Sequence, residues 1–191
     1  MKSLKMAVCA ALLTLAMPMS AQKKVMNTFR VGVGPSILTA DVYDGYHSSN
    51  RSEGGVEFQG EYTCLFRVGS HWRLGFGVLG AYNETEFSGS KMNQFVISPE
   101  FAVSALSKNE KWRLNMATGI GLASMGGDFK NVYEDAGANF HVSVGGEYMI
   151  TQKVGIGLDF MNNGTGYKQK NNDDVVSMNR IAFLGSLRIH L

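Results

Sequence analysis

The chain has 191 residues, a formal net charge of +2 and only 18% charged residues. Its length bounds one domain, and its near-neutral charge gives no electrostatic footprint for nucleic acid. Glycine is abundant, at 23 residues against 3 prolines, which disfavours disorder, and no apolar run in the body reaches the length of a membrane-spanning helix.

Residues 1–21 read as a removable signal peptide. Lys2 and Lys5 form a positive start, Met6 to Met17 an apolar centre, and Ser20-Ala21 offers small residues for cleavage. Residues 22–191 are then the mature domain. Losing Lys2 and Lys5 brings the 18 Lys and Arg into balance with the 16 Asp and Glu. Losing Cys9 leaves Cys64 alone, so the mature chain has no intrachain disulfide to form.

Eight alternating segments follow, at 28–40, 55–68, 72–83, 93–106, 111–124, 138–150, 153–162 and 178–191. The third shows the pattern most clearly. Trp72, Leu74, Phe76, Val78, Gly80 and Tyr82 occupy every second position, the period of a strand with one apolar face. The connections at 69–71, 107–110 and 151–152 are tight. Those at 41–54, 84–92, 125–137 and 163–177 are longer and rich in Asn, Asp, Ser and Gly. Trp72-Arg73-Leu74 returns as Trp112-Arg113-Leu114, and Gly-x-Gly recurs at Gly32/Gly34, Gly75/Gly77, Gly119/Gly121 and Gly155/Gly157, so the repeating unit is one hairpin.

One face of all eight segments carries no charge, where an 18% charged composition would place several. It runs from Phe29, Val31, Val33, Pro35 and Ile37 through to Ile181, Phe183, Gly185, Leu187, Ile189 and Leu191. In a bilayer, a Lys or Arg at mid-depth on such a face costs roughly 2–4 kcal/mol, which explains the exclusion. The other face holds Arg30, Glu57, Gln59, Glu61, Arg67, Arg73, Glu100, Arg113, Asn115, His141, Glu147, Asp159, Arg180 and Arg188 among the glycines. Eight strands enclose too little room for the large apolar set. The apolar face therefore looks out at lipid and the polar face in. Pro35 and Pro99 each remove a ladder donor and predict a bulge or a strand end.

The signal peptide, four hairpins, alternating short and long connections and apolar final strand (Ile181-x-Phe183…Leu187-x-Ile189-x-Leu191) together resemble the small eight-stranded outer-membrane barrels of the OmpA/OmpX type. The resemblance implies an all-β, antiparallel, up-and-down transmembrane barrel in the outer membrane of a Gram-negative bacterium, with short turns and both termini periplasmic. It also implies insertion by the barrel-assembly machinery. The family usually ends in Phe, where this chain has Leu191.

The interior charges Arg67, Arg73, Arg113 and Arg188 with Glu61, Glu100, Glu147 and Asp159 predict a lumenal network of Arg–carboxylate pairs that plugs the barrel. The alternative is a charged filter in a small-solute pore. A second alternative takes His141, Ser143 and Glu147 on one face of a strand as the parts of a lipid A-modifying acyl hydrolase or transferase. Trp72 and Trp112 fit a periplasmic aromatic girdle. Tyr43, Tyr46, Phe129, Tyr133 and Tyr167 in the long loops are candidate contacts for an extracellular protein or surface ligand. The string Gly75-x-Gly77-x-x-Gly80 has no following helix to bind a pyrophosphate, so its glycines read as lumen packing. The histidines lack metal spacing, and no cofactor is implied. The reading is a non-enzymatic barrel serving envelope structure or surface interaction.

Overall fold

The computed structural model describes residues 25–43, 48–87, 89–131, 133–170 and 175–191; the expected signal peptide and Tyr46 lie outside them. Eight strands follow one another: β1 (Val25–Tyr43), β2 (Ser48–Val68), β3 (Trp72–Phe87), β4 (Ser90–Leu106), β5 (Trp112–Gly127), β6 (Ala136–Met149), β7 (Val154–Lys168) and β8 (Val175–His190). Each pairs antiparallel with its neighbours, and β1 pairs with β8, closing an eight-stranded barrel. A 3-10 turn, Asp128–Asn131, follows β5. The period-two pattern decides which way every strand faces. Phe76, Ile120, Leu158 and Phe183 stand exposed on the outer wall, while Arg30, Glu57, His141 and Arg180 are buried within.

Strands run further toward the loop end than the apolar pattern predicts. Residues 84–92 are not a long loop. β3 and β4 stay paired as far as Phe87↔Ser90, with Gly89 turning the chain at φ +77°. β1 and β2 likewise stay paired up to Tyr43↔Ser48. The apolar alternation stops where lipid stops. Backbone pairing continues beyond it, because a strand facing water on its outer side can carry polar residues there. Glu84, Glu86 and Lys91 are exposed on this collar.

Neither proline ends a strand or makes a bulge. The ladders β1–β2 and β3–β4 run unbroken through Pro35↔Val56 and Val78↔Pro99. On the other side of each proline the pairing skips. It jumps from Val33↔Gly185 to Ser36↔Ala182 in β1–β8, and from Ile97↔Leu122 to Glu100↔Gly119 in β4–β5. Equal numbers of residues are skipped on both strands, so register is kept while a hydrogen-bond donor is lost.

Candidate functional site

Among the described residues, buried polar chemistry concentrates in the lumen, and small residues make room for it. A Cβ on Gly145 would collide with the Asp159 carboxylate, and one on Gly155 with that of Glu147. A Cβ on Gly119 would meet the His141 ring at 2.6 Å, and one on Gly157 the Arg188 guanidinium at 2.5 Å. The Gly-x-Gly pairs thus do more than thin the interior: they set where the charged groups of neighbouring strands lie. Gly75 and Gly77 have the same spacing role against β2, where a Cβ would strike the Cys64 and Tyr62 carbonyls.

At the centre of the network Asp159 lies between two arginines. Arg188 Nη2 donates to Asp159 Oδ1 at 2.5 Å, and Arg30 Nη1 lies 3.1 Å from Oδ2. Arg30 also reaches Glu61 at 2.6 Å and donates to the side-chain Oε1 of Gln59 at 2.8 Å. Toward the turn end, His190 Nε2 meets Glu147 Oε1 at 2.6 Å, while its Nδ1 sits 2.9 Å from the Thr28 hydroxyl and 3.0 Å from Arg113 Nη1. Asn115 donates to the second Glu147 oxygen at 3.2 Å. Further toward the loops, His141 Nε2 is 3.1 Å from Glu100, and Arg180 Nη1 donates to Glu57 at 3.4 Å. A cavity of about 20 Å³ lies beside this network, lined by Thr28, Arg30, Glu61, Ser143, Asp159 and Arg188. That is room for about one water.

Not every interior charge expected in the network joins it. Arg113, Arg188, Glu61, Glu100, Glu147 and Asp159 do. Arg67 is exposed at the β2–β3 turn, where its guanidinium donates to the carbonyls of Gly69 at 2.9 Å and Ser70 at 3.4 Å. Arg73 is its register partner on the same rim and only half-buried. Neither forms an ion pair with a carboxylate among the described residues. Arg30 and the Glu57–Arg180 pair, expected on the inner face, join the network as well, and His190 is the member that the expectation lacked. Parity alone signals His190, which stands between the outward Ile189 and Leu191.

The three residues considered for acyl chemistry go to different partners. His141, fully buried, takes Glu100 as its carboxylate; Glu147 is held by His190 and Asn115; Ser143 lines the small cavity. No hydrogen bond among the described residues joins His141, Ser143 and Glu147 into a relay.

The loop half of the lumen corrects the expectation of a polar interior. Leu38, Ala40, Ala81, Met92, Val96, Ala123, Met125, Val176 and Met178 form an apolar cluster there, completed by Tyr133 and Tyr167. These two tyrosines are therefore not free loop contacts. Tyr167 lies on β7, points inward with no exposed surface, and accepts a hydrogen bond from Gln94 Nε2 at 2.7 Å. Tyr133 bridges to Gln169 and stacks on Phe129 with ring centroids 6.3 Å apart; Phe129 packs against the cluster. Burial pushes the Tyr133 phenol above its ordinary pKa. Tyr43 ends β1, opposite Ser48. The segment between β5 and β6 is tied across the mouth, since Asp128 accepts from the Lys91 amide at 2.9 Å and the Glu134 amide donates to the Lys168 carbonyl at 2.8 Å. Trp72 and Trp112 are exposed on the outer wall at the turn end, Trp112 edge-on to Tyr148 at 5.0 Å.

Comparison with known proteins adds a family and a fold. The family model described as "Outer membrane protein beta-barrel domain" matches residues 7–183. No curated protein matches the sequence. Among solved structures, Neisserial surface protein A is similar at 14% identity and a TM-score of 0.59, over 84% of this chain and 96% of that one. The outer membrane enzyme PagL is similar at 14% identity and a TM-score of 0.51, over 85% of this chain and 98% of that one. At such identities the likeness is one of fold, shared by a surface protein and an enzyme alike.

Proposed function

Because the chain belongs to the outer membrane protein beta-barrel domain family and is a barrel of the Gram-negative outer membrane, we propose that it is a non-enzymatic barrel with a closed lumen. On this reading it serves envelope structure and presents its loop end to the outside, with the turns and both termini in the periplasm. The observation that carries the reading is the double closure of the lumen. Paired charges fill its middle, and the Tyr133–Tyr167 cluster fills its loop half. Eight strands leave little bore to begin with. Contacts with a surface partner fall to the exposed residues of the loop-end segment, Asp128, Asn131, Glu134 and Asp135, rather than to its inward-turned aromatics. Planar-bilayer recording on the purified barrel tests the closure. The expected trace has no unitary steps, and a steady single-channel conductance would overturn the reading. Mass spectrometry of lipid A from cells expressing the protein tests the absence of acyl chemistry. The expected acyl pattern is unchanged; a lost or gained chain that disappears in the His141→Ala variant would establish an enzyme.

A further inference from the structure

Two of the eight ladders are broken, and they lie on opposite sides of the barrel. The skips at Pro35 and Pro99 fall in β1–β8 and in β4–β5, while the other six ladders pair without interruption through the lipid-facing wall. They divide the wall into two four-stranded halves, β1–β4 and β5–β8. Both prolines point outward, where no water replaces a missing donor.

Lumenal pairs cross both breaks. At the first, Glu57 on β2 is the register partner of Gly34, directly beside the skip, and reaches over β1 to Arg180 on β8. On the turn side of the same skip, Arg30 of β1 reaches over β8 to Asp159 of β7. At the second, Glu100, Gly119 and His141 occupy one row across β4, β5 and β6. His141 passes over Gly119 to Glu100 at the very edge of the skip, a path that a Cβ on Gly119 would block.

We propose that the barrel is built as two half-barrels joined along two proline-weakened seams, and that Glu57–Arg180, Arg30–Asp159 and His141–Glu100 are the clasps that hold the seams shut. The wall then opens first at these seams, and each clasp governs its own seam.

Residue-resolved amide hydrogen exchange on the folded barrel in detergent micelles tests this. Amides flanking the two skips exchange faster than amides at the same depth in β2–β3 and β6–β7, by about fivefold, the equivalent of one net hydrogen bond. Glu100→Gln accelerates exchange at β4–β5 and leaves β1–β8 unchanged; Glu57→Gln does the reverse. Pro99→Val restores a donor, slows exchange at β4–β5 and abolishes the effect of Glu100→Gln there. Uniform exchange across all ladders, or a Glu100→Gln effect spread equally around the barrel, would overturn the proposal. Should the carboxylate variants not fold, Pro99→Val alone decides. Slower exchange confined to β4–β5 supports the seam, and unchanged exchange refutes it.

Discussion

Replacing Asp159 by Asn keeps the shape of the side chain and removes the one carboxylate that two arginines share. Arg30 and Arg188 are cross-strand register partners, so like charges face each other with Asp159 between them. Arg30 retains Glu61 at 2.6 Å. The Arg188 guanidinium loses its ion-pair partner and is left with neutral acceptors, among them the Ser186 hydroxyl at 3.1 Å. Leaving one partner of a buried pair uncompensated costs about 3–5 kcal/mol. With Arg30 still paired, the lower end applies, about 3 kcal/mol, a large share of the roughly 5–15 kcal/mol that holds a domain folded. Urea unfolding from lipid vesicles measures it through the fluorescence of Trp72 and Trp112, which stand on the outer wall and leave lipid when the barrel unfolds. Adding Arg188→Met removes the stranded charge and is expected to restore most of the loss. A cost below about 1 kcal/mol for Asp159→Asn, the range of exposed ion pairs, would refute the reasoning by showing that water reaches Arg188 freely.

Two other substitutions probe the wall and the plug. Leu158, 76% exposed on the outer wall, changed to Arg is expected to cost roughly 2–4 kcal/mol in vesicles, measured by the same unfolding; a neutral result would mean that this face does not meet lipid. Tyr167→Phe strands the Gln94 donor inside the apolar cluster and is expected to destabilise by about 1–3 kcal/mol. Gln94→Leu in the same background should recover part of that loss, and failure to do so would show that the bond contributes nothing.

The outward face was legible because lipid forbids charge on it, and a prohibition enforced at every second residue survives any uncertainty about strand ends. The ends themselves were not legible. Nothing in Asn83-Glu84-Thr85-Glu86 marks lipid, yet those residues remain paired with β4. Tyr167 looked like a loop residue for the same reason, although continuing the alternation of β7 turns it inward. The interior charges were legible as a set but not as pairs. Which acid meets which base depends on the closing register of β1 with β8 and on side chains reaching over intervening strands, as Glu57 does to Arg180 and His141 to Glu100. The apolar loop-half cluster was hidden because Met125, Tyr133, Tyr167 and Val176 fall in stretches whose surroundings are polar.

The contacts of Glu57 with Arg180 and of Arg30 with Asp159 bind the beginning of the chain to its end. While the sheet is still an open ribbon, Arg30 already has Glu61 within the first hairpin, but Glu57 waits for a counter-ion that β8 brings. Threading such a ribbon into lipid strand by strand would carry that carboxylate in bare. The last strand neutralises it, so insertion favours completed cylinders over partial ones, and a chain truncated before β8 would stall outside the bilayer.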